Sequence, residues 1–341
     1  MIVHDRIRLT GRVAATPSGR ALCSAPFRFI RGWVWVDAEG IRTAVSRCLW
    51  PQGQARRPAS AEWLGTATTD DARIDDLRIR SPQNPQDPIP AFLSRPRTGS
   101  GPFPTILCLP GSNGDRHLLA GDVYGATAEG ILRGWARELA RRGYASLAVT
   151  HRCRPERGGN FFDWAKAELL CGRTAMGGLI EDALSAVDVL QARPDVVRPG
   201  LGAIGFSLGG ITAFYAAVID PRLAATVTVC GGVGSLAALI DHGALAYHSA
   251  YYFVPGLLCV GDHDTLLEAV APRGLLVLGR EEDPGMPVDG LRALGAVGRR
   301  VYSAAPDGFA VAVRPGGHLL APEDIDAADR WLAHRIGRAS D

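Results

Sequence analysis

The stretch Leu201-Gly-Ala-Ile-Gly-Phe-Ser-Leu-Gly-Gly-Ile-Thr-Ala-Phe-Tyr215 decides how this chain is read. Residues 201–206 are a short apolar run that predicts a buried strand, and residues 208–219 continue with helical periodicity. Between them sits Gly205-Phe-Ser-Leu-Gly209, a G-x-S-x-G at a strand-to-helix turn. A turn this sharp holds Ser207 in a strained conformation, at a cost on the order of 1–3 kcal/mol, and its glycines let neighbouring backbone pass close. The hydroxyl is thereby lifted above the sheet, at the positive end of the following helix. The pentapeptide occurs by chance in many chains, so the strand before it and the helix after it give it its weight. A Gly/Ser turn without chemistry is the bland alternative. The overlapping G-x-G-x-x-G of residues 200–205 is discounted as a dinucleotide site, because that motif must follow a strand and open a helix, whereas these residues are the strand.

Outward from this turn, short apolar runs alternate with helical stripes. Residues 105–109, 145–150, 225–230, 274–278 and 309–313 predict strands. Leu132, Trp135, Ala136 and Leu139 give one helical stripe with Gly143 as its cap; Leu179, Ala183, Val187 and Leu190 give another, closed by Pro194; residues 325–336 give a third. Repeated βαβ wiring of this kind implies an α/β fold, a mostly parallel central sheet with flanking helices. Residues 1–77 look different. Residues 32–37 and 41–46, joined by a Gly-containing turn at 38–40, suggest a hairpin, hence an antiparallel β appendage packed on a catalytic domain of residues 78–341. Residues 152–172 and 231–272 fit neither pattern and are expected to form cap or lid segments.

Serine is a weak nucleophile without a base, and the base needs an acid to fix its tautomer. Of the eight histidines, His318 is best placed, in a Gly-rich loop just after the last strand. The acid is expected at the end of the strand 274–278, where Glu281, Glu282 and Asp283 compete. Asp283 is favoured for its short side chain and the following Pro284, with Glu282 in reserve. The oxyanion needs backbone donors: Leu208 N–H supplies one, and the loop 110–114 the other, through Ser112 or the neighbouring Asn113. His151 also follows a strand but precedes Ser207, against the chain order of this architecture, so it is assigned as a substrate contact. His263, between Asp262 and Asp264, reads as a solvated turn and not as a metal site. Phe161, Phe162, Trp164, Tyr251 and Tyr252 are expected to wall the substrate pocket or to form cap core.

With these residues in place the chain resembles the α/β-hydrolase superfamily. Gly205-Phe-Ser-Leu-Gly-Gly210, Ala271-Pro-Arg273, Glu282-Asp-Pro284 and Gly316-Gly-His318 look like its dienelactone-hydrolase and acetyl-xylan-esterase branch, over roughly residues 78–338. The resemblance implies an ester or lactone hydrolase with no metal or organic cofactor. Two departures stand out: dienelactone hydrolases have Cys where this chain has Ser207, and many relatives have His-Gly where it has Pro110-Gly111.

Composition agrees with an enzyme. In 341 residues, 37 basic against 35 acidic side chains leave a net charge of +2, with no run of five like charges, so a nucleic-acid or membrane-surface partner is not expected. Seven dispersed cysteines without a C-x-x-C pair read as buried thiols of a reducing compartment. The amino-terminal residues lack a charged start followed by an apolar block, so a cytoplasmic location is expected, an awkward match for acetyl-xylan deacetylation. The expectation is a serine hydrolase of a small-molecule ester or lactone, with its oligomeric state, including a homodimer, left open. The alternatives are an acyltransferase or cyclase using the same triad and a non-catalytic binding protein.

Overall fold

The computed structural model describes residues 37–53 and 56–338; residues 32–36 of the expected hairpin lie outside them. The first half contains α1 (Ala38–Leu49), β1 (Ser60–Thr68), β2 (Ala72–Arg80), β3 (Ile89–Pro96), β4 (Phe103–Leu109), α2 (Arg116–Ala120), the short β5 (Gly125–Ala126) and β6 (Leu132–Arg133), α3 (Trp135–Arg141), β7 (Ala145–Val149) and α4 (Phe161–Leu170). The second half contains α5 (Ala175–Gln191), β8 (Val196–Phe206), α6 (Leu208–Ile219), β9 (Leu223–Val229), α7 (Leu236–Asp241), α8 (Leu257–Val260), α9 (His263–Val270), β10 (Gly274–Arg280), α10 (Val288–Val301), β11 (Phe309–Arg314) and α11 (Pro322–Ile336).

One nine-stranded sheet runs β1-β2-β3-β7-β4-β8-β9-β10-β11. From β7 to β11 every pairing is parallel, while β1, β2 and β3 extend that edge with antiparallel pairings. Helices cover both faces of the parallel part, which is why β4 and β10 are buried along their whole length and read as unbroken apolar runs. One core layer lies between the sheet and α5, α6, α9 and α10, around Leu179, Val187, Phe214, Leu267 and Leu294. The other lies under α3 and α11, around Trp135, Leu139, Ile325 and Leu332. Among the described residues no helix is long and apolar enough to cross a membrane.

Three expectations are corrected here. Residues 41–46 are helical, within α1, because Ile41, Val45 and Leu49 at i, i+4 and i+8 bury one stripe and Asp37 caps the start, accepting from Gly40 N at 2.9 Å. Ile41, Thr43 and Val45 satisfy a two-residue period equally well, and packing decides between them. The boundary at 77/78 falls inside β2: the antiparallel strands are the edge of the main sheet and not a body packed upon it, with β2 pairing β3 from Ala72 opposite Pro96 to Ile79 opposite Ile89. Leu132 belongs to β6, and α3 begins only at Trp135, after Gly134 in the left-handed region (φ 70°).

Of the two inserted blocks, 152–172 carries α4 and 231–272 carries α7 to α9. α9 joins the helix layer, with Leu266, Leu267, Ala269 and Val270 buried. His263 is accordingly no solvated turn. It is fully buried, with Nε2 3.0 Å from the Tyr215 hydroxyl and Nδ1 2.9 Å from Gly234 O.

Candidate active site

The sharp turn after β8 has the backbone the sequence demands: Ser207 sits at φ 54°, ψ −122°, and its N–H donates to Val229 O at 2.9 Å. Glycine is required on both sides. A Cβ at Gly205 would lie 2.0 Å from Gly209 O, and one at Gly209 would lie 2.1 Å from Leu109 O.

Three side chains from three separate loops meet here. His318, in the loop between β11 and α11, has Nε2 2.8 Å from Ser207 Oγ and Nδ1 2.9 Å from Asp283 Oδ1. Asp283, just past β10, is 6% exposed, and the same oxygen accepts Gly285 N–H at 2.8 Å. A carboxylate facing Nδ1 fixes the proton on that nitrogen and leaves Nε2 free to accept from the serine. Glu281 and Glu282 are exposed, and the reserve residue Glu282 meets the histidine loop only through its backbone, donating to Gly316 O at 3.0 Å.

Buried charge clamps the two loops together. Arg280, at the end of β10, donates from Nη1 to Pro315 O at 3.0 Å and pairs with the fully buried Asp324, which Arg314 also holds at 2.7 Å. Asp324 in turn accepts from Ala321 N at 3.0 Å. Nothing in the local sequence marks Arg280 or Asp324 for this purpose, since both read as ordinary surface charges.

Leu208 N–H lies in the first turn of α6, where amide groups have no partner within the helix. The loop after β4 comes against Ser207: a Cβ at Gly111 would lie 3.5 Å from Ser207 Cβ. The turn is closed by Gly114 N–H on Gly111 O at 2.8 Å; Ser112 is half-buried and Asn113 exposed. His151 lies beneath this loop, not in the cleft. It is 4% exposed, its Nε2 is 2.7 Å from Pro110 O and must be the donor, and burial holds its pKa down to about 4. Its expected contact with substrate is corrected accordingly: the neutral ring supports the loop backbone.

The expected pocket aromatics divide. Phe161 is buried and joins the two inserts, its ring 5.7 Å from Trp164 and 5.5 Å from Tyr251. Phe162 is exposed. Tyr252 is scaffold and not wall: buried, it donates to Gly232 O at 2.7 Å and stacks at 3.7 Å on His248, whose Nε2 is 2.7 Å from Gly285 O in the Asp283 turn. Two rings touching His318 were not singled out by the sequence, Phe206 at 5.2 Å and Tyr247 at 5.6 Å, edge-on. Phe206 lies inside the G-x-S-x-G itself, whereas Tyr247 stands in a block without periodicity. Tyr247 is 44% exposed, and partial burial together with the Asp283 charge pushes its phenol up to about 12, so it stays neutral at the mouth of the cleft.

Residues 86–272 match the model of the X-Pro dipeptidyl-peptidase (S15) family, a span that contains Ser207 and ends before Asp283 and His318. The Bacillus subtilis (strain 168) protein named as the hydrolase YtaP is 30% identical over 289 residues, covering 81% of this chain and 94% of its own length. Among solved structures, a glucuronoyl esterase from Solibacter usitatus is similar with a TM-score of 0.67 at 18% identity, over 96% of this chain and 98% of that one. A Bacteroides fragilis NCTC 9343 protein assigned as an acetyl xylan esterase has a TM-score of 0.65 at 14% identity, over 89% of this chain and 84% of that one. At these identities the likeness is one of fold, that of the α/β-hydrolases.

Proposed function

Because the chain belongs to the X-Pro dipeptidyl-peptidase (S15) family of α/β-hydrolase fold, we propose that it is a serine hydrolase that opens a carboxylic ester or lactone of a small molecule. Ser207 attacks the carbonyl carbon while His318 Nε2 takes its proton, and Asp283 stabilises the imidazolium that forms. Leu208 N–H and a donor from the 110–113 loop, with Ser112 the choice and Asn113 close to it, receive the negative charge on the carbonyl oxygen. One such donor is worth about 10²–10³ in rate. His318 then protonates the departing alcohol, and water releases the acyl group by the reverse relay. No step calls for a metal or organic cofactor.

A single observation carries this reading: the unbroken hydrogen-bond chain from Ser207 Oγ through both nitrogens of His318 to Asp283, at 2.8 and 2.9 Å. Tyr247, Trp164 and Tyr251, partly exposed aromatics of the two inserts, offer an apolar rim suited to an acyl or alcohol group.

The family match favours a second reading, amide cleavage after proline, because the same relay serves amides. A panel of p-nitrophenyl esters of rising acyl length, run beside Xaa-Pro p-nitroanilides on wild type and Ser207→Ala, separates the two. Ester turnover that disappears in Ser207→Ala supports the first. Anilide turnover exceeding that of every ester would replace it with the second.

A further inference from the structure

Beside the Asp283–His318 pair stands a side chain for which the hydrolytic mechanism has no use. Cys230 follows β9 in the left-handed region, at φ 46°, and its buried Sγ lies 3.5 Å from Leu319 O. Among the described residues, this sulfur, a carboxylate oxygen of Asp283 and a ring nitrogen of His318 all lie within 4.8 Å of one another. They come from three loops, after β9, β10 and β11, and the His318 side chain is 21% exposed, which leaves an approach from the cleft.

We propose that Cys230, Asp283 and His318 form an inhibitory site for a thiophilic divalent cation of the Zn²⁺ or Cd²⁺ type; the inhibition, though not the binding, rests on reading Ser207, His318 and Asp283 as the catalytic relay. Tetrahedral zinc takes thiolate sulfur at about 2.3 Å and imidazole nitrogen or carboxylate oxygen at about 2.0–2.2 Å, which sets ligand atoms roughly 3.3–3.6 Å apart. The Asp283–His318 separation of 2.9 Å has to open by about half an ångström to meet that, and the sulfur, within 4.8 Å of both, has to close by at most about 1.2–1.5 Å. Both are movements of loop side chains. A set of one thiolate, one imidazole and one carboxylate selects zinc or cadmium over magnesium and calcium, which prefer all-oxygen shells.

The consequence for the relay follows from proton positions. The thiol loses its proton to solvent as the sulfur–metal bond forms. His318 binds through Nδ1 only when that nitrogen carries no hydrogen, so the neutral ring holds its proton on Nε2. That nitrogen then donates towards Ser207 Oγ and can no longer accept from it. The metal also neutralises the carboxylate that would have stabilised the imidazolium.

The test titrates the full chain with Cd²⁺ and follows thiolate-to-cadmium charge-transfer absorption, comparing wild type with Cys230→Ser and Cys230→Ala; their circular dichroism shows whether each is folded. In parallel, ester hydrolysis is followed against Zn²⁺, each protein normalised to its own rate in EDTA, with Mg²⁺ as a further control. The expected result is one additional cadmium–thiolate equivalent in wild type over either variant, with zinc inhibition that EDTA reverses. Loss of one ligand should raise the half-inhibiting zinc concentration about tenfold or more. Equal absorption in wild type and both variants overturns the proposal, as does zinc inhibition that ignores Cys230 or is matched by Mg²⁺. Were the protein to hydrolyse no ester, the absorption difference would still report the site, so failure of the metal proposal and failure of the hydrolase reading are told apart.

Discussion

Replacing Asp283 by Asn removes a charge while keeping the shape that surrounds it. The amide oxygen can still accept the Gly285 N–H that now lies 2.8 Å away, so the turn has reason to persist. What is lost is the negative charge 2.9 Å from His318 Nδ1, at the moment when the ring becomes an imidazolium. With charge centres roughly 4 Å apart and an effective dielectric of about 20, their attraction is about 4 kcal/mol. Partial exposure of His318 screens some of it, leaving about 3–4 kcal/mol. At about 1.4 kcal/mol per decade, kcat for p-nitrophenyl acetate should fall between about 150-fold and about a thousandfold, with KM little changed. Glu282→Gln, at an exposed position one residue away, should alter kcat less than about twofold. Steady-state kinetics on both variants, with thermal melts showing each folded, decide the matter. A kcat within about tenfold of wild type for Asp283→Asn, or a larger loss in Glu282→Gln, would refute the assignment of the acid.

Gly209→Ala should lower kcat by about a hundredfold: its Cβ would meet Leu109 O at 2.1 Å, so the start of α6 must retreat by about an ångström from the loop facing Ser207. Pre-steady-state bursts on protein shown folded by circular dichroism measure this, and an unchanged burst rate contradicts it. His151 titrates near its ordinary 6.5 when unfolded and at about 4 when folded, so its contribution is whole above pH 6.5 and shrinks as the unfolded chain takes up the proton between 6.5 and 4. The total is on the order of 3 kcal/mol; urea unfolding at stepped pH should show that slope, and His151→Gln should flatten it. Arg280→Met strips one partner from the buried Asp324 and from Pro315 O, and should cost about 3 kcal/mol, the low end for a broken buried pair because Arg314 remains. A loss under about 1 kcal/mol in urea titration would remove Arg280 from the support of the histidine loop.

How much of this was legible in the sequence depends on how local each signal is. Gly205, Ser207 and Gly209 specify their turn within five residues, and β4 and β10 announce double burial by unbroken apolar runs, so the parallel sheet and the elbow could be read directly. The place of Asp283 beside His318 was readable from chain order and from the Pro284 turn. α1 was not, since Ile41, Thr43 and Val45 fit strand and helix alike until Val45 and Leu49 are seen packed. Tyr247, His248 and Cys230 were invisible for a different reason: each earns its position through contacts more than 30 residues distant, with His318, Gly285 and Asp283. His263 misled because flanking acids suggest solvent, while the Tyr215 hydroxyl and Gly234 carbonyl that hold it are remote in sequence.

Covalent labelling tests the central claim most directly. A fluorophosphonate incubated with the wild type should add one adduct, located by peptide mass spectrometry at Ser207, with no labelling in Ser207→Ala and a rate lowered by at least about a thousandfold in His318→Ala. An adduct at another serine, or undiminished labelling of Ser207 without His318, would contradict the relay of 2.8 and 2.9 Å contacts on which the proposed hydrolysis depends.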